Sequence, residues 1–234
     1  DKKMSAIITE KFRKHNANQF HESFTESSAS VYYLMIGKAT PFTAATSGGT
    51  DVSPATPADD ITTEFYTWDQ ATALKNISSG DVSFAVPRRD WANGTTYDMY
   101  ESNISTSNVT TSGASSIYES TFFFRTTDNR VYKVIDNNSG AAYSGAEPTS
   151  ESTSLFTLGG YTLKYMYTIS TSSFTKFITA DFMPVATDTT VSAATTDGEI
   201  ISLVITGGSG YTNGTYYAAV YGDGTSQGTS SGAI

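Results

Sequence analysis

The chemically richest residues of this chain stand in one short block, Val86-Pro87-Arg88-Arg89-Asp90-Trp91. The block places two guanidinium groups, a carboxylate and an indole directly after a proline that ends an apolar run. Because proline fixes φ and lacks an N–H, the strand predicted over residues 82–86 should stop there and present the next four residues on a turn or a strand edge. A planar guanidinium fork and an aromatic face suit docking, so the chemistry predicted for this block is recognition.

The candidate site therefore consists of Arg88, Arg89, Asp90 and Trp91, and two interpretations of it stay open. In the first, the block is an internal structural clamp: Asp90 pairs with an arginine, Trp91 plugs the core beneath, and the loop is held rigid. In the second, the block is a docking interface, since Arg and Trp are over-represented among the residues that dominate interface energetics. The stability and the assembly of variants would distinguish the two.

Residues for catalysis are hard to find elsewhere in the sequence. His15 and His21 are the only histidines and stand six apart on a predicted helix, so they do not share a face as an i, i+4 metal pair would. No nucleophile elbow, Walker A loop, zincin helix or dinucleotide glycine fingerprint occurs. An acid/base pair needs two carboxylates that face each other, and the sequence gives no basis for placing two of its candidates in this way. The candidates are Asp128, Asp136, Glu147 and Asp181. We therefore predict no enzyme, no catalytic residue, no cofactor and no metal site.

Charge and composition exclude further classes. The 234 residues carry a formal net charge of −9 with a pI near 4.6, and no run of Lys or Arg is longer than the pairs Lys2-Lys3 and Arg88-Arg89. Such a chain repels phosphate backbones, which argues against nucleic acid as a partner. No apolar run approaches the roughly 18 residues of a membrane span, so no membrane partner is predicted. The absence of cysteine excludes disulfides, thiolate catalysis and Cys-based zinc sites.

The mixture of Ser, Thr, Gly and aromatic residues favours strands and turns over helices. Strands are predicted where apolar runs lie between turn signals, at residues 31–36, 120–125, 130–136, 161–169 and 174–182. The Asp128-Asn129 pair between two such runs predicts a hairpin.

Two segments have helical spacing. Residues 6–24 carry Phe12, Phe20 and Phe24 on nearly one face, a stripe that we interpret as packing on the main sheet, with a helix reserved for a partner subunit as the alternative. Residues 61–80 carry apolar side chains at spacings of three and predict a second helix. The polar tracts at residues 39–60 and 92–119 are predicted to be loops.

The composition of the chain changes near residue 190. An apolar run at residues 200–205 is followed by a glycine-rich turn and a second strand-like run at residues 211–216. We predict a core at residues 1–190 and a Gly/Ser/Thr-rich β-module at residues 191–234.

The block at residues 86–91 resembles the Ile/Val-Pro-Arg-Arg-Asp-Trp signature of a baseplate wedge subunit of T-even-type contractile-tailed bacteriophages. Weaker similarities to the family lie on both sides of this block, between residues 5 and 186, in the same order along the chain as in the family. They comprise an N-terminal helix at 6–13, a strand and turn at 32–42, a strand at 131–137, segments at 147–149 and 160–169, and a proline-terminated strand at 182–185.

This resemblance implies a structural subunit that holds neighbouring baseplate wedge proteins together. It implies an α+β fold, predominantly β, with layered antiparallel sheets, an N-terminal helix and one or two further helices. The partners would be other baseplate wedge subunits, with self-association as a dimer left open. The location would be the tail baseplate of the virion, after assembly in the host cytoplasm. Known wedge subunits have a C-terminal part that completes the first domain, and because this sequence offers no counterpart, we expect the chain to be part of a longer polypeptide.

One function of another class stays open, a carbohydrate-binding or glycan-cleaving module of a virion. Its basis is the aromatic content of 13% together with abundant Ser, Thr and Asn, since sugar faces need the same residues. A glycan site requires Tyr and Trp side chains along one concave groove, whereas an assembly protein disperses them in its core and in flat contact patches.

Overall fold

A computed structural model of the chain describes residues 10–28, 30–37, 71–196, 209, 210, 212, 214 and 215. The chain divides into two compact units, Asp1–Ser83 and Phe84–Ile234. The β-module predicted for residues 191–234 and the loop predicted for residues 39–60 lie largely or wholly outside the described residues.

The first unit contains helix α1 (Glu10–Glu22), strands β1 (Tyr32–Ile36) and β2 (Ala73–Ile77), and a 3-10 turn at Ser79–Asp81. The N-terminal helix and the first strand are thus confirmed in their described parts. The apolar stripe of α1 meets β1 through aromatic rings, with Phe24 and Tyr32 centroids 4.6 Å apart and Phe20 and Phe24 centroids 5.2 Å apart. Phe24 is buried, whereas Phe12 and Phe20 stay more than half exposed.

The helix predicted over residues 61–80 is wrong where the structure describes it, because residues 73–77 form β2. This strand pairs antiparallel with β1, with Leu74 opposite Met35 and Ile77 opposite Tyr32. An apolar strand such as β1 leaves a row of unpaired backbone groups along its edge, which a second strand can satisfy and a helix cannot. The helical spacing of the apolar residues was therefore overridden by pairing.

The second unit is built on a four-stranded antiparallel sheet with the order β4-β5-β7-β6. Its strands are β4 (Phe123–Arg125), β5 (Arg130–Asp136), β6 (Phe156–Leu158) and β7 (Tyr161–Thr168). A separate pair joins β3 (Ala85–Pro87) to β8 (Phe182–Pro184). The strands predicted at residues 130–136 and 161–169 are confirmed, while those predicted at 82–86 and 120–125 form only at residues 85–87 and 123–125.

Alternation along β7 explains how the main sheet makes a core. Tyr161, Leu163, Tyr165 and Tyr167 are buried, and the residues between them are only half-buried. Side chains two apart on a strand share a face, so β7 presents an aromatic row to one side. The core cluster on that side is formed by Tyr97, Phe124, Tyr132, Val134, Tyr143, Tyr161, Leu163, Tyr165 and Val191.

Two turns fix the register of this sheet. The hairpin predicted at Asp128-Asn129 is confirmed between β4 and β5, and Asn129 adopts the left-handed region with φ 64°. Gly159 and Gly160 join β6 to β7 with φ values of 63° and 87°. Positive φ at both residues of a two-residue loop matches the twist of antiparallel strands and favours glycine.

The strand predicted at residues 174–182 is wrong, because the chain forms helix α2 (Thr171–Phe177) before β8. Ser170 caps the helix by accepting a hydrogen bond from the Ser173 N–H at 3.2 Å. A Ser cap satisfies an otherwise unpaired N–H of the first helical turn. The apolar residues of this short segment fit a helix or a strand equally well, so the stabilisation from the cap favours the helix. A further short helix, α3 (Thr189–Ala193), follows β8.

The predicted loop at residues 92–119 lacks regular strands and helices, but a buried carboxylate organises it. Asp98 accepts hydrogen bonds from the N–H and Oγ of Ser112, both at 2.7 Å, and from the Oγ of Ser120 at 3.0 Å and the N–H of Thr121 at 2.8 Å. Burial by itself would raise the pKa of Asp98, but these hydrogen bonds outweigh it and lower the pKa.

With the sheets and helices described above, the fold is confirmed as α+β and predominantly β.

Candidate functional site: the Pro-Arg-Arg-Asp-Trp block

The block begins where β3 ends. Pro87 is the last residue of β3 and lies opposite Phe182 of β8. The next residue still follows the partner strand, because the Arg88 N–H donates to the carbonyl oxygen of Asp181 at 2.8 Å. The Arg88 Nη1 donates to the Thr179 carbonyl oxygen at 3.0 Å, so its guanidinium ties the block to the segment that precedes β8.

Asp90 is the centre of the charge arrangement. The Nε and Nη2 of Arg88 donate to its Oδ2 at 3.0 and 2.7 Å, and the Nε and Nη2 of Arg125 donate to its Oδ1 at 2.9 and 2.7 Å. Two nitrogens of each guanidinium thus converge on one carboxylate oxygen, and the Arg88 Nε also donates to Oδ1 at 3.2 Å. Hydrogen bonds between ionised groups are stronger than those between neutral groups. Burial alone would raise the pKa of Asp90, but the hydrogen bonds from both arginines lower it.

Arg125 is the partner of Asp90 that sequence reasoning missed. Its side chain is only 9% exposed, compared with 45% for that of Asp90. The Nη1 donates to the Asn129 Oδ1 at 2.6 Å, and the guanidinium carbon lies 5.8 Å from the centroid of the Phe174 ring. The available signal was an arginine at the end of an apolar strand, directly before a predicted hairpin turn.

Unlike Arg88, Arg89 does not pair with Asp90 and instead binds backbone oxygens. Its Nη2 donates to the carbonyl oxygens of Tyr118 and Glu119 at 3.0 and 2.7 Å, which tethers the end of the 92–119 loop. The guanidinium carbon lies 5.6 Å from the centroid of the Phe123 ring. Burial lowers the pKa of Arg89, and its Nε has no hydrogen-bond partner in the described part of the chain.

Trp91 faces the aromatic core. It packs against the core cluster of the main sheet, with its ring 5.8 Å from that of Tyr143 in an edge-to-face arrangement. Edge-to-face pairs add to the free energy gained by burial. The indole Nε1 is buried and meets no acceptor among the described residues.

Of the four candidate residues, the structure joins the side chains of Arg88 and Asp90 and adds Arg125 and Asn129 to them. Arg89 binds two backbone carbonyls instead, and Trp91 packs on the core. The arrangement can neutralise charge and fix loops, and it holds no nucleophile with an adjacent base.

The other residues considered for chemistry are dispersed. His15 and His21 lie on α1 of the first unit. Three of the carboxylates have other partners: Asp128 accepts from Arg130, Glu147 from the Thr127 N–H and Asp136 from the Asn138 N–H, each at 2.7 Å. Asp181 contributes its backbone carbonyl to Arg88, and its side chain is exposed.

The described residues contain no group of three or more His, Cys, Asp or Glu side chains that could hold a metal ion. No helix in the described ranges is long and apolar enough to cross a membrane.

Comparison with known proteins gives one family. The family model of phage Gp8, described as bacteriophage T4 Gp8, matches residues 6–142, a range that includes the block at residues 86–91. No curated protein matches the chain. The Gp8 family is a structural protein of the baseplate wedge, and nothing in the comparison points to carbohydrate binding. Six tyrosines that a glycan groove could have used are instead buried in the core: Tyr97, Tyr132, Tyr143, Tyr161, Tyr165 and Tyr167. Since the match covers more than half of its length, this chain belongs to the family of bacteriophage T4 Gp8, the structural proteins of the phage tail baseplate wedge.

Proposed function

We propose that this wedge protein is a non-enzymatic scaffold that binds other wedge subunits through exposed apolar surfaces of its first unit. Self-association as a dimer is part of the proposal and rests on the family membership. Assembly would take place in the host cytoplasm, before the baseplate becomes part of the virion.

The observation that carries the proposal is the exposure of the β1–β2 sheet. Tyr33, Leu34, Ile36 and Leu74 are 60%, 52%, 53% and 59% exposed. From the register, Leu34 and Ile36 share one face, while Tyr33 and Leu74 share the other, so both faces are apolar. Contiguous exposed apolar surface is typical of a contact with another protein, and a two-stranded sheet is only marginally stable without further packing.

The experiment is in vitro assembly of the full chain with purified wedge subunits of the same phage, with Leu34→Ser and Leu74→Ser as variants. Burying the exposed half of a leucine contributes about 1 kcal/mol, so each variant should weaken association roughly fivefold. Asn76→Ser is the matched control, because Asn76 lies opposite Tyr33 in the same sheet and loses no apolar surface. Unchanged assembly of both leucine variants would overturn the proposal.

For the block at residues 86–91, we propose that the structural clamp is its main role. The support is that Asp90 receives two guanidinium forks from within the chain, Arg89 binds two backbone carbonyls, and Trp91 packs on the core. A docking role would use the outer rim, where the side chains of Arg88 and Asp90 are 29% and 45% exposed.

A further inference from the structure

Two lysines stand directly opposite each other on the main sheet. Lys133 of β5 pairs with Lys164 of β7, one position from the buried pairs Tyr132–Tyr165 and Val134–Leu163. Since successive side chains alternate between faces, both lysines point to the side of the sheet opposite the aromatic core. Like charges directly opposite on neighbouring strands destabilise a sheet, so this pair costs folding free energy in the isolated chain.

No acid offsets these two charges in the described part of the chain. The ion pairs there use Lys75, Arg88, Arg125 and Arg130 as cations, and no hydrogen bond is made by either lysine ammonium. Burial first, and then the charge of Lys164, lowers the pKa of Lys133, which is the response of an ammonium that lacks a counter-ion.

Aromatic rings lie beside Lys133. The Lys133 Nζ lies 3.3 Å from the centroid of the Tyr100 ring, and Phe123 occupies the paired position on β4. Tyr100 also packs edge-to-face on Phe122, with centroids 5.1 Å apart. A cation against a ring face keeps part of its attraction for an anion unused, and a carboxylate between two ammoniums would turn their repulsion into attraction.

We propose that the face of the main sheet bearing Lys133 and Lys164, with Tyr100 beside it, is a docking site for an acidic segment of a neighbouring baseplate protein. One carboxylate of that segment lies between the two ammoniums, and an apolar neighbour in the segment contacts the ring of Tyr100, which is 39% exposed. The proposal rests on the proposed function, because it presumes that the chain contacts other wedge subunits. This surface would be a contact in addition to the β1–β2 sheet, and its partner would carry a carboxylate.

Zero-length carbodiimide crosslinking of the assembled full chain tests the proposal directly, since it joins an amine only to a carboxylate in contact with it. We expect a crosslink from Lys133 or Lys164 to an Asp or Glu of another baseplate protein. We also expect Lys164→Met to lower incorporation into wedges at least tenfold, while its melting temperature equals or exceeds that of the wild type because the repulsion is removed.

Lys164→Arg keeps the charge and serves as the matched control, with incorporation within about threefold of wild type. Incorporation of Lys133→Met and Lys164→Met at the wild-type level, with no crosslink from either lysine, would overturn the proposal. If Lys133→Met fails to fold, the Lys164→Met variant decides alone. A wild-type chain that joins no wedge subunit at all would instead contradict the proposed function.

Discussion

Asp90 and Arg125 are joined twice, once through their side chains and once through the backbone around them. The Arg125 Nη2 lies 2.7 Å from the Asp90 Oδ1. The two residues also form a parallel β-bridge, in which the Trp91 N–H donates to the Arg125 carbonyl at 2.8 Å and the Arg125 N–H donates to the Arg89 carbonyl at 2.7 Å. The ion pair is therefore held in place by backbone bonds on both sides, which reduces the entropy that the side chains lose in making it.

Replacing Asp90 by Asn should lower the free energy of unfolding by about 2 to 3 kcal/mol. The change removes the carboxylate charge, so the buried Arg125 guanidinium keeps only neutral acceptors, the amide oxygens of Asn129 and of the new side chain, and breaking a buried pair on one side is costly. Because the Asp90 side chain is 45% exposed, the loss is smaller than the roughly 3 to 5 kcal/mol typical of a fully buried pair. Urea denaturation at pH 7 measures the change.

Arg88→Ala is the control for that variant. It removes the outer fork of Asp90, in which both side chains are partly exposed, and should cost only about 0.5 to 1 kcal/mol. Equal losses for Asp90→Asn and Arg88→Ala would show that the buried Arg125 pair is not what stabilises the site.

Much of the fold could be predicted where local pattern and tertiary packing agree. The hairpin at Asp128-Asn129 and the strand at residues 161–169 can be predicted because turn chemistry and apolar runs between turn signals are local properties. The predictions were wrong where pairing with another part of the chain, or a helix cap, determined the secondary structure. Residues 73–77 became a strand because the edge of β1 needed a partner, and residues 171–177 became a helix because Ser170 capped it.

The site was predicted only in part for a similar reason. The four residues at positions 88–91 are adjacent in sequence, so their types and order could be read directly. Their partners lie far along the chain: Arg125 is 35 residues from Asp90, and the carbonyl of Glu119 is 30 residues from Arg89. Pairing across such separations depends on the register of β4, which a single sequence does not encode in any short motif.

Acid should destabilise the second unit through Asp98. Its pKa is lowered in the folded protein, below the value of about 3.9 in an unfolded chain, so the unfolded state takes up the proton first as the pH falls. The stabilisation is present above about pH 4 and is lost as the pH falls through the folded pKa. Thermal unfolding between pH 6 and pH 2 should show this decline.

Asp98→Asn should flatten that decline and lower stability at pH 7 by about 2 kcal/mol, because an amide group turns donors toward the donors of Ser112, Ser120 and Thr121. A variant with the same acid profile as the wild type would exclude Asp98 as the source.

Alkaline pH should act through Tyr167. Burial raises its pKa to about 12, and its hydroxyl donates to the Pro184 carbonyl at 3.2 Å. Since an unfolded tyrosine ionises near pH 10, the folded state holds the proton longer, and stability falls as the pH rises from about 10 to about 12. Tyrosinate absorbance measured together with circular dichroism should show a group of tyrosines that ionise only as the protein unfolds. Tyr167→Phe should reduce the slope, and an unchanged slope would contradict this assignment.

Trp91 distinguishes the clamp from the docking patch. If the indole mainly packs on the core, Trp91→Ala should cost about 3 kcal/mol, while Trp91→Phe keeps an aromatic ring against Tyr143 and should cost about 1 kcal/mol. Trp91→Phe should then assemble into wedges like the wild type. A Trp91→Phe protein that melts normally and fails to assemble would favour docking instead.

Gly159 should be the least replaceable glycine of the main sheet. An alanine Cβ at this position would lie 2.5 Å from the Cζ of Tyr143, whose ring is fully buried, and the backbone φ of 63° already disfavours any side chain. Gly94 is the matched control, because its φ is 80° and no atom lies within 4 Å of an added Cβ. Gly94→Ala should therefore cost only the conformational term of about 1 kcal/mol, whereas Gly159→Ala should cost that amount and about 2 kcal/mol more for displacing Tyr143. Chemical denaturation of both variants measures the difference, and equal losses would mean that the β6–β7 turn can shift away from the ring at little cost.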